Sequence, residues 1–190
     1  ERWRLLGSFN EPIDHWLDFF CFTHFIDRDG KFQLKMLSTS SFKPLAASMG
    51  PMLKEESFHL GTGSNGLRRI INAGVIPQDM LQRYINKWVS TAHDLFGVDA
   101  SSSAHWAYVW GVKGRWDERK KQDAGVEVNK EVLNEEGRGH YHDEIVKEVE
   151  KLCGYLPEGA EKLYVPHENF NRDIGATKGS NFNVDGSPFE

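Results

Sequence analysis

The sequence predicts an all-α protein, folded as an antiparallel bundle of helices. Apolar residues recur at helical spacing through several long segments, short turn-forming stretches separate these segments, and no alternation of strand and helix patterns is present. Long helices joined by short turns pack as antiparallel neighbours. We expect residues 1–153 to form the bundle portion. Residues 154–190, which are richer in Pro, Gly and Asn, should form an irregular segment that packs on it.

The first predicted helix begins at Asn10, whose side chain can cap it, with Pro12 in the first turn. Apolar residues then recur at helical spacing until the serine-rich stretch that follows Leu37. The predicted helix is about 25 residues long, and Gly30 weakens it because glycine is a poor helix former.

The next two predicted helices both end at a glycine. One begins near Pro44 and ends before Gly74, and the other covers residues 77–96 and ends before Gly97. Pro51 lies inside the first of these two helices. Because proline removes a backbone donor and clashes with the preceding turn, we expect it to kink the helix or to reset its start.

The last two predicted helices are less regular. One covers residues 102–121 and the other residues 129–153, with a loop at 122–128 between them. The pattern of the final helix is stronger in its second half, from 144 to 152.

The composition excludes several classes of function. The net charge is −5 with both signs interspersed, so the chain lacks the basic stripe of a nucleic-acid-binding protein. It contains neither a long apolar run nor a signal-peptide pattern, which argues against a membrane span and against secretion. Cys21 and Cys153 form no CxxC pair, which argues against a disulfide framework or a zinc ribbon and favours a cytoplasmic location.

Two further features concern the size of the core and the extent of the chain. Six Trp and twelve Phe in 190 residues predict a thick core or an apolar pocket. The chain begins with Glu1 rather than Met and stops abruptly at Glu190, so we expect it to be an internal piece of a longer protein.

The motif Glu56-x-x-His59 carries the clearest chemical signal. Residues three apart on a helix project from one face, and the neighbours on this face, Met52, Leu53 and Leu60, are apolar. A carboxylate and an imidazole are costly to bury there without a partner, and a metal ion is one such partner. Ferritin-like di-iron proteins place Glu-x-x-His on two of four helices and a lone carboxylate on each of the others. The alternative is a solvated pair or a hydrogen-bonded core histidine.

Asp27 is predicted to supply the lone carboxylate. In two antiparallel helices joined by a short turn, residues about 30 apart lie opposite each other, and Asp27 precedes Glu56 by 29 positions. The helical face of Asp27 is mostly apolar, whereas Asp29, the alternative, sits beside Gly30 and off this face. We therefore expect Asp27, Glu56 and His59 to bind a metal ion.

The sequence supplies one such motif, whereas a complete di-iron site needs two. We expect this chain to contribute half of the site, with the other ligands from missing sequence, from a second chain or from less regular positions. His15 and His167 are expected on the surface or in loops. The alternative explanation for the less regular candidates is that they are exposed polar residues, helix caps or hydrogen-bonded histidines. These candidates are His93, Asp94, His105, Asp117, Glu136, His140, His142, Asp143 and Glu144.

Several segments together resemble the oxygenase components of the benzoyl-CoA 2,3-epoxidase family. They span most of the chain in the same order, and the segment from Glu55 to His59 is also similar to a metal-binding motif of phenylacetyl-CoA epoxidases. The segments are residues 10–12, 16–20, 27–34, 52–59, 94–97, 111–115 and 170–175.

The resemblance implies a ferritin-like bundle whose di-iron centre activates O2 and epoxidises the aromatic ring of an aryl-CoA thioester such as benzoyl-CoA, in aerobic aromatic degradation. Asp27, Glu56 and His59 match the ligands of the later of two helix pairs, and the earlier pair would lie upstream of Glu1. The resemblance also implies a separate reductase that carries FAD and an iron–sulfur cluster and takes electrons from NADPH. No catalytic residue beyond the metal ligands is implied, and the fragment alone is expected to be inactive.

Three other functions remain open at this point. The first is a ferritin-like iron-binding protein without oxygenase activity, which would need no pocket for an organic substrate; an apolar cavity beside Phe20 and Thr23 would favour the oxygenase. The second is a related di-iron oxygenase that acts on another aromatic substrate. The third is a helical interaction module in which Glu56 and His59 form a satisfied polar pair.

Overall fold

The computed structural model describes residues 11–129 and 131–166, which contain six helices and no strand. The helices pack as antiparallel neighbours, so the predicted all-α bundle is confirmed. Their bounds are α1 Trp16–Leu37, α2 Lys43–Ala73, α3 Gln78–Phe96, α4 Ser102–Val109, α5 Glu118–Asp123 and α6 Leu133–Cys153.

Helix α1 is the central helix of the fold. It packs most extensively on α2, and it also contacts α3 and α6. Its buried apolar side chains meet those of α3 and α6 in one core, and the largest of them are Phe25 and Phe32 on α1, Trp88 on α3 and Tyr141 on α6. The α2-facing side of α1 carries Phe20, Thr23 and Asp27, and Phe20 packs against the same core.

Helix α1 begins later than predicted, at Trp16. The N-cap is His15, whose Nδ1 accepts a hydrogen bond from the backbone N–H of Asp18. Residues 11–14 are not helical, because Lys87 of α3 donates to the Pro12 carbonyl at 2.7 Å and so holds this stretch against the bundle. Lys87 also pairs with the buried Asp18 at 3.0 Å, and Trp88 Nε1 donates to the same carboxylate. The predicted cap, Asn10, lies outside the described residues.

Helices α2 and α3 match the prediction closely. Helix α2 continues through Pro51 without a break, so the predicted reset at this proline is wrong. Gly74 and Gly97 end α2 and α3 with φ of 64° and 69°, in the left-handed region that glycine adopts without strain.

The predicted fourth helix is in fact two short helices, α4 and α5, separated by residues 110–117. The chain turns at Gly111, where φ is 62°. The intervening backbone then bonds to the end of α1 and the turn after it: Ser41 N–H donates to the Gly111 carbonyl at 2.7 Å, and Gly114 N–H donates to the Met36 carbonyl at 3.0 Å. These bonds replace the helical ones that a continuous helix would make.

Helix α6 begins at Leu133, four residues after the predicted start at Asn129. Its first turn is capped from another part of the chain. The Asp99 carboxylate, in the loop after α3, accepts from the backbone N–H groups of Asn134 and Glu135 at 2.8 and 2.9 Å. An anion at a helix N-terminus is favourable because the first N–H groups have no intrahelical partner.

Residues 154–166 form no helix or strand, and Leu163 is buried in the core. The division of the chain at residue 153 stays a prediction, since most of the segment that follows lies outside the described residues. Cys21 and Cys153 are both free thiols. Among the described helices, none combines the length and the apolar character that crossing a membrane requires.

Candidate metal centre

Helices α1 and α2 approach each other closely along one face of each helix. A Cβ atom at Gly63 would lie 2.7 Å from the backbone nitrogen of His24, and one at Gly66 would overlap the Phe20 ring. Such distances leave no room for a side chain. Glycine at these two positions therefore lets the two helices come close enough for side chains one or two turns away to meet.

The three predicted ligands lie together at this interface. Asp27 Oδ2 and Glu56 Oε2 lie 3.9 and 3.6 Å from His59 Nδ1, and one ligand atom of each residue lies within 4.8 Å of the others. Two donors bound to one ion at about 2.1 Å lie about 3 to 3.5 Å apart. Small side-chain rotations would thus bring all three donors onto a common ion.

Among the described residues, no Lys or Arg pairs with the two carboxylates, and His59 is the basic side chain beside them. Burial, together with the nearby Glu56 carboxylate, raises the pKa of Asp27 to about 6. Burial also raises the pKa of Glu56, although His59 acts in the opposite direction. In addition, Glu56 Oε2 is buried and accepts no hydrogen bond from the described residues. A cation between the carboxylates would relieve both the desolvation and the repulsion.

The cluster is open on the α2 side. The side chains of Asp27 and Glu56 are 15% and 19% exposed, whereas His59 is 55% exposed. The sequence predicted an apolar, buried face around His59, and this part of the prediction is wrong for the described chain. Met52 and Phe58 on the same helix are also exposed, because no described element packs on this side of α2.

Asp29, the alternative ligand, lies outside the cluster. It is buried on α1, and its Oδ1 accepts a hydrogen bond from Gln33 at 3.1 Å. Burial raises the pKa of Asp29 to about 8, although the Gln33 hydrogen bond and Lys113 act in the opposite direction. The structure therefore brings Asp27, rather than Asp29, to Glu56 and His59.

A second group of possible ligands, Asp117, Glu136 and His140, also has donors within 4.8 Å of one another. Here the chain supplies its own cations. Arg115 pairs with Asp117 and Glu136 at 2.9 Å each, and Lys121 pairs with Asp117 at 2.6 Å. Burial would raise the pKa of Asp117, but the hydrogen bonds from Arg115 and Lys121 lower it to about 2. This group is a compensated ion-pair network, and its negative charge does not call for a metal.

Two of the other candidates lie outside the cluster: Asp94 is half-buried near the end of α3, and Asp143 is exposed on α6.

Three more candidates have partners elsewhere. His142 Nδ1 lies 3.5 Å from His93 Nε2, and the two rings are 5.4 Å apart. Glu144 pairs with Arg28 and with Lys31, both at 2.6 Å, and so ties α6 to α1.

Three further histidines lie away from the cluster or outside the described residues. His15, expected on the surface or in a loop, is exposed and contacts the Tyr84 hydroxyl in addition to capping α1. His105 packs its ring on Trp106, and the break after α4 separates it from Asp117. His167 lies outside the described residues.

A groove lies along the same α1–α2 interface as the cluster. It has a volume of about 1050 Å³ and lies at the start of α1 against the second half of α2 and the turn that follows. The excess of aromatic residues predicted a thick core or an apolar pocket, and a cavity beside Phe20 was the feature expected of an oxygenase. The residues that line this groove include Trp16, Phe20, Gly66, Arg69, Ile70 and Met80.

The fold and the site define a helical bundle with a candidate centre of two carboxylates and one imidazole. The chain belongs to the family described as Phenylacetic acid catabolic protein, whose sequence model matches residues 1–169. The resemblance inferred from the sequence is thereby confirmed.

Two curated relatives are similar to most of this chain. Benzoyl-CoA oxygenase component B of Aromatoleum evansii is 34% identical over 214 aligned positions, which cover 90% of this chain and 45% of the relative. One subunit of the 1,2-phenylacetyl-CoA epoxidase of Escherichia coli (strain K12) is 25% identical over 159 positions, which cover 83% of this chain and 46% of the relative. The chain thus spans less than half the length of either protein, and both are named as one part of a multicomponent enzyme.

Proposed function

We propose that this chain forms half of the di-iron site of an oxygenase that epoxidises the aromatic ring of an aryl-CoA thioester. The observation that carries the proposal is the meeting of Asp27, Glu56 and His59 at one interface. Membership in the family and the similarity to an oxygenase component and to part of an epoxidase support it.

The donor set fits iron. Carboxylate and imidazole donors suit iron or manganese, whereas thiolate-seeking metals prefer cysteine. A bound cation would offset the negative charges of Asp27 and Glu56, and it would give the buried Glu56 Oε2 a partner. Bound iron would supply the activation of O2. The chain's own residues would hold the metal, set its charge and, through the surrounding helices, limit the access of water.

Three ligands are too few for two iron ions. Each ferritin-like site of this kind uses a second carboxylate and a second Glu-x-x-His, which in our proposal come from sequence outside this chain or from a second chain. The exposed side of α2 at Met52, Phe58 and His59 is where those elements would pack. The proposed enzyme takes electrons from a separate NADPH-dependent reductase with FAD and an iron–sulfur cluster, and it is cytoplasmic.

The groove that contains Phe20 supports an organic substrate. Phe20 lies seven residues before Asp27 on α1, about 10 Å along the helix axis, and the groove borders the same α1–α2 interface. An apolar groove of this size suits an aromatic ring. Iron storage would need no such space, so this observation favours the oxygenase over an iron-binding protein without oxygenase activity.

The described lining of the groove contains one arginine and no lysine that could meet the phosphate groups of CoA. Arg69 lines the groove, whereas Arg115 is held by Asp117 and Glu136. Lys113 is largely buried and donates to Asn134. We therefore propose that Arg69 contributes to binding the phosphate groups.

The test uses full-length protein with its reductase and benzoyl-CoA. We expect about two irons per chain in the wild type, and loss of both iron and epoxide formation in Glu56→Ala and His59→Ala. Glu55→Ala is the matched control, because Glu55 precedes Glu56 on α2 and is exposed; it should keep both. Full iron content and turnover in either ligand variant would refute the proposal. Iron binding without oxygenation of any aryl-CoA would leave the storage function instead.

A further inference from the structure

We propose that Gly30 is a positioning residue of the metal centre, because its missing side chain leaves the space in which the Glu56 carboxylate lies. The inference rests on the proposed function, since it takes Glu56 as a metal ligand. Gly30 has no side-chain atom that could bind a metal ion. Glycine is also a poor helix former, so its presence inside α1 is unfavourable for the helix.

The distances place Glu56 directly against Gly30. A Cβ atom at position 30 would lie 3.3 Å from Glu56 Oε1, 3.5 Å from Cδ and 3.8 Å from Oε2. The first distance is tighter than ordinary van der Waals contact. An alanine would therefore displace the Glu56 carboxylate from α1 by a few tenths of an ångström, or turn it into another rotamer away from His59.

Backbone conformation does not account for this glycine. Gly30 lies in the interior of α1, and its φ is not among the positive values found at the turn glycines. Glycine is among the least favourable residues in a helix interior. Because the backbone conformation at position 30 does not require glycine, the structural feature that glycine provides here is the space that the Glu56 carboxylate occupies.

Other helical glycines in the described chain have different surroundings. Gly63 and Gly66 face the backbone of His24 and the ring of Phe20, and Gly137 faces Met36 and Phe96. A Cβ atom at Gly61 would have no other atom within 4 Å, so the surroundings of that glycine are open. Gly30 is thus the described helical glycine whose free space is filled by a proposed ligand.

The space at Gly30 is expected to let the Glu56 carboxylate change its orientation. A carboxylate that holds a metal ion would need to turn its oxygens toward that ion, and its possible binding modes would differ in how close the oxygens lie to α1. Its Oε2 accepts no hydrogen bond from the described residues that would fix it in place. With a methyl group at position 30, the modes closest to α1 would be blocked.

The experiment compares Gly30→Ala with Gly61→Ala in full-length protein. Metal-free samples are first melted, and both variants should unfold at or above the wild-type temperature, because alanine favours the helix. Each sample is then titrated with Co²⁺, followed by its visible absorption. Gly61→Ala should match the wild type, whereas Gly30→Ala should bind Co²⁺ about 2- to 10-fold more weakly, as expected for a ligand side chain held away from its preferred rotamer.

Three results would overturn the inference. Co²⁺ binding of Gly30→Ala equal to that of Gly61→Ala would show that Glu56 does not need the space. A lower unfolding temperature of the metal-free Gly30→Ala protein would assign the glycine to packing. If Glu56→Ala kept full Co²⁺ binding, Glu56 would not be a ligand and the proposed function itself would be wrong. If instead Glu56→Ala lost Co²⁺ while Gly30→Ala bound it normally, only the inference about Gly30 would be wrong.

Discussion

Asp27 and Asp29 are two residues apart on α1 and yet have different surroundings. Asp27 faces α2 and meets Glu56 and His59, whereas Asp29 is buried on another side of the helix and accepts a hydrogen bond from Gln33. Two positions along a helix correspond to a rotation of about 200°. Sequence spacing favoured Asp27 as the ligand, and the observed geometry agrees with that choice.

The difference predicts opposite results for two matched substitutions. Asp27→Asn removes a negatively charged ligand and should strongly reduce iron content. Asp29→Asn replaces a buried carboxyl whose pKa is raised to about 8 with a neutral side chain of the same shape, so iron content should stay near the wild-type value. Iron per chain, measured by mass spectrometry on full-length protein, decides between the two residues. Loss of iron in Asp29→Asn with retention in Asp27→Asn would reverse the assignment.

At the scale of the elements, the close crossing of α1 and α2 at Gly63 positions the cluster. The atoms next to a Cβ at Gly63 belong to the backbone of Thr23 and His24, which cannot move aside without moving α1. Asp27 lies one turn further along α1, and His59 one turn before Gly63 on α2. The separation of the two helices at this crossing therefore sets the distance between the ligands.

Gly63→Ala should force the two helices apart. We expect the overlap, which costs about 1–3 kcal/mol, to exceed the gain in helix propensity of about 1 kcal/mol. The variant should thus unfold at a lower temperature and bind less iron. Gly61→Ala, two residues away with open surroundings, should be as stable as the wild type or more so. A Gly63→Ala protein with unchanged unfolding temperature and iron content would show that the crossing tolerates a methyl group.

The helices themselves were predictable where their signals are local. Gly74 and Gly97 end α2 and α3 as expected from the sequence. The misplaced boundaries depend on distant partners: Lys87 holds Pro12 in front of α1, and Asp99 caps α6 from the loop after α3. A pattern within one segment carries no information about such contacts.

At the scale of the whole molecule, the meeting of Asp27, Glu56 and His59 could be predicted because the three residues follow two simple spacings, whereas their binding of a metal stays a prediction. Glu56 and His59 share a helical face, and Asp27 lies opposite them across one hairpin. The exposure of His59 could not be predicted from the sequence, because it depends on what covers α2, and no described element does so. The compensation of Asp117 by Arg115 and Lys121 also needed the fold, since the break after α4 brings these residues to α6.

The most direct test is anomalous diffraction at the iron edge from crystals of the full-length protein. We expect iron within about 2.0 to 2.2 Å of donor atoms of Asp27, Glu56 and His59. Iron bound only at Asp117, Glu136 and His140, or no iron beside Glu56 in an active preparation, would contradict the proposed centre.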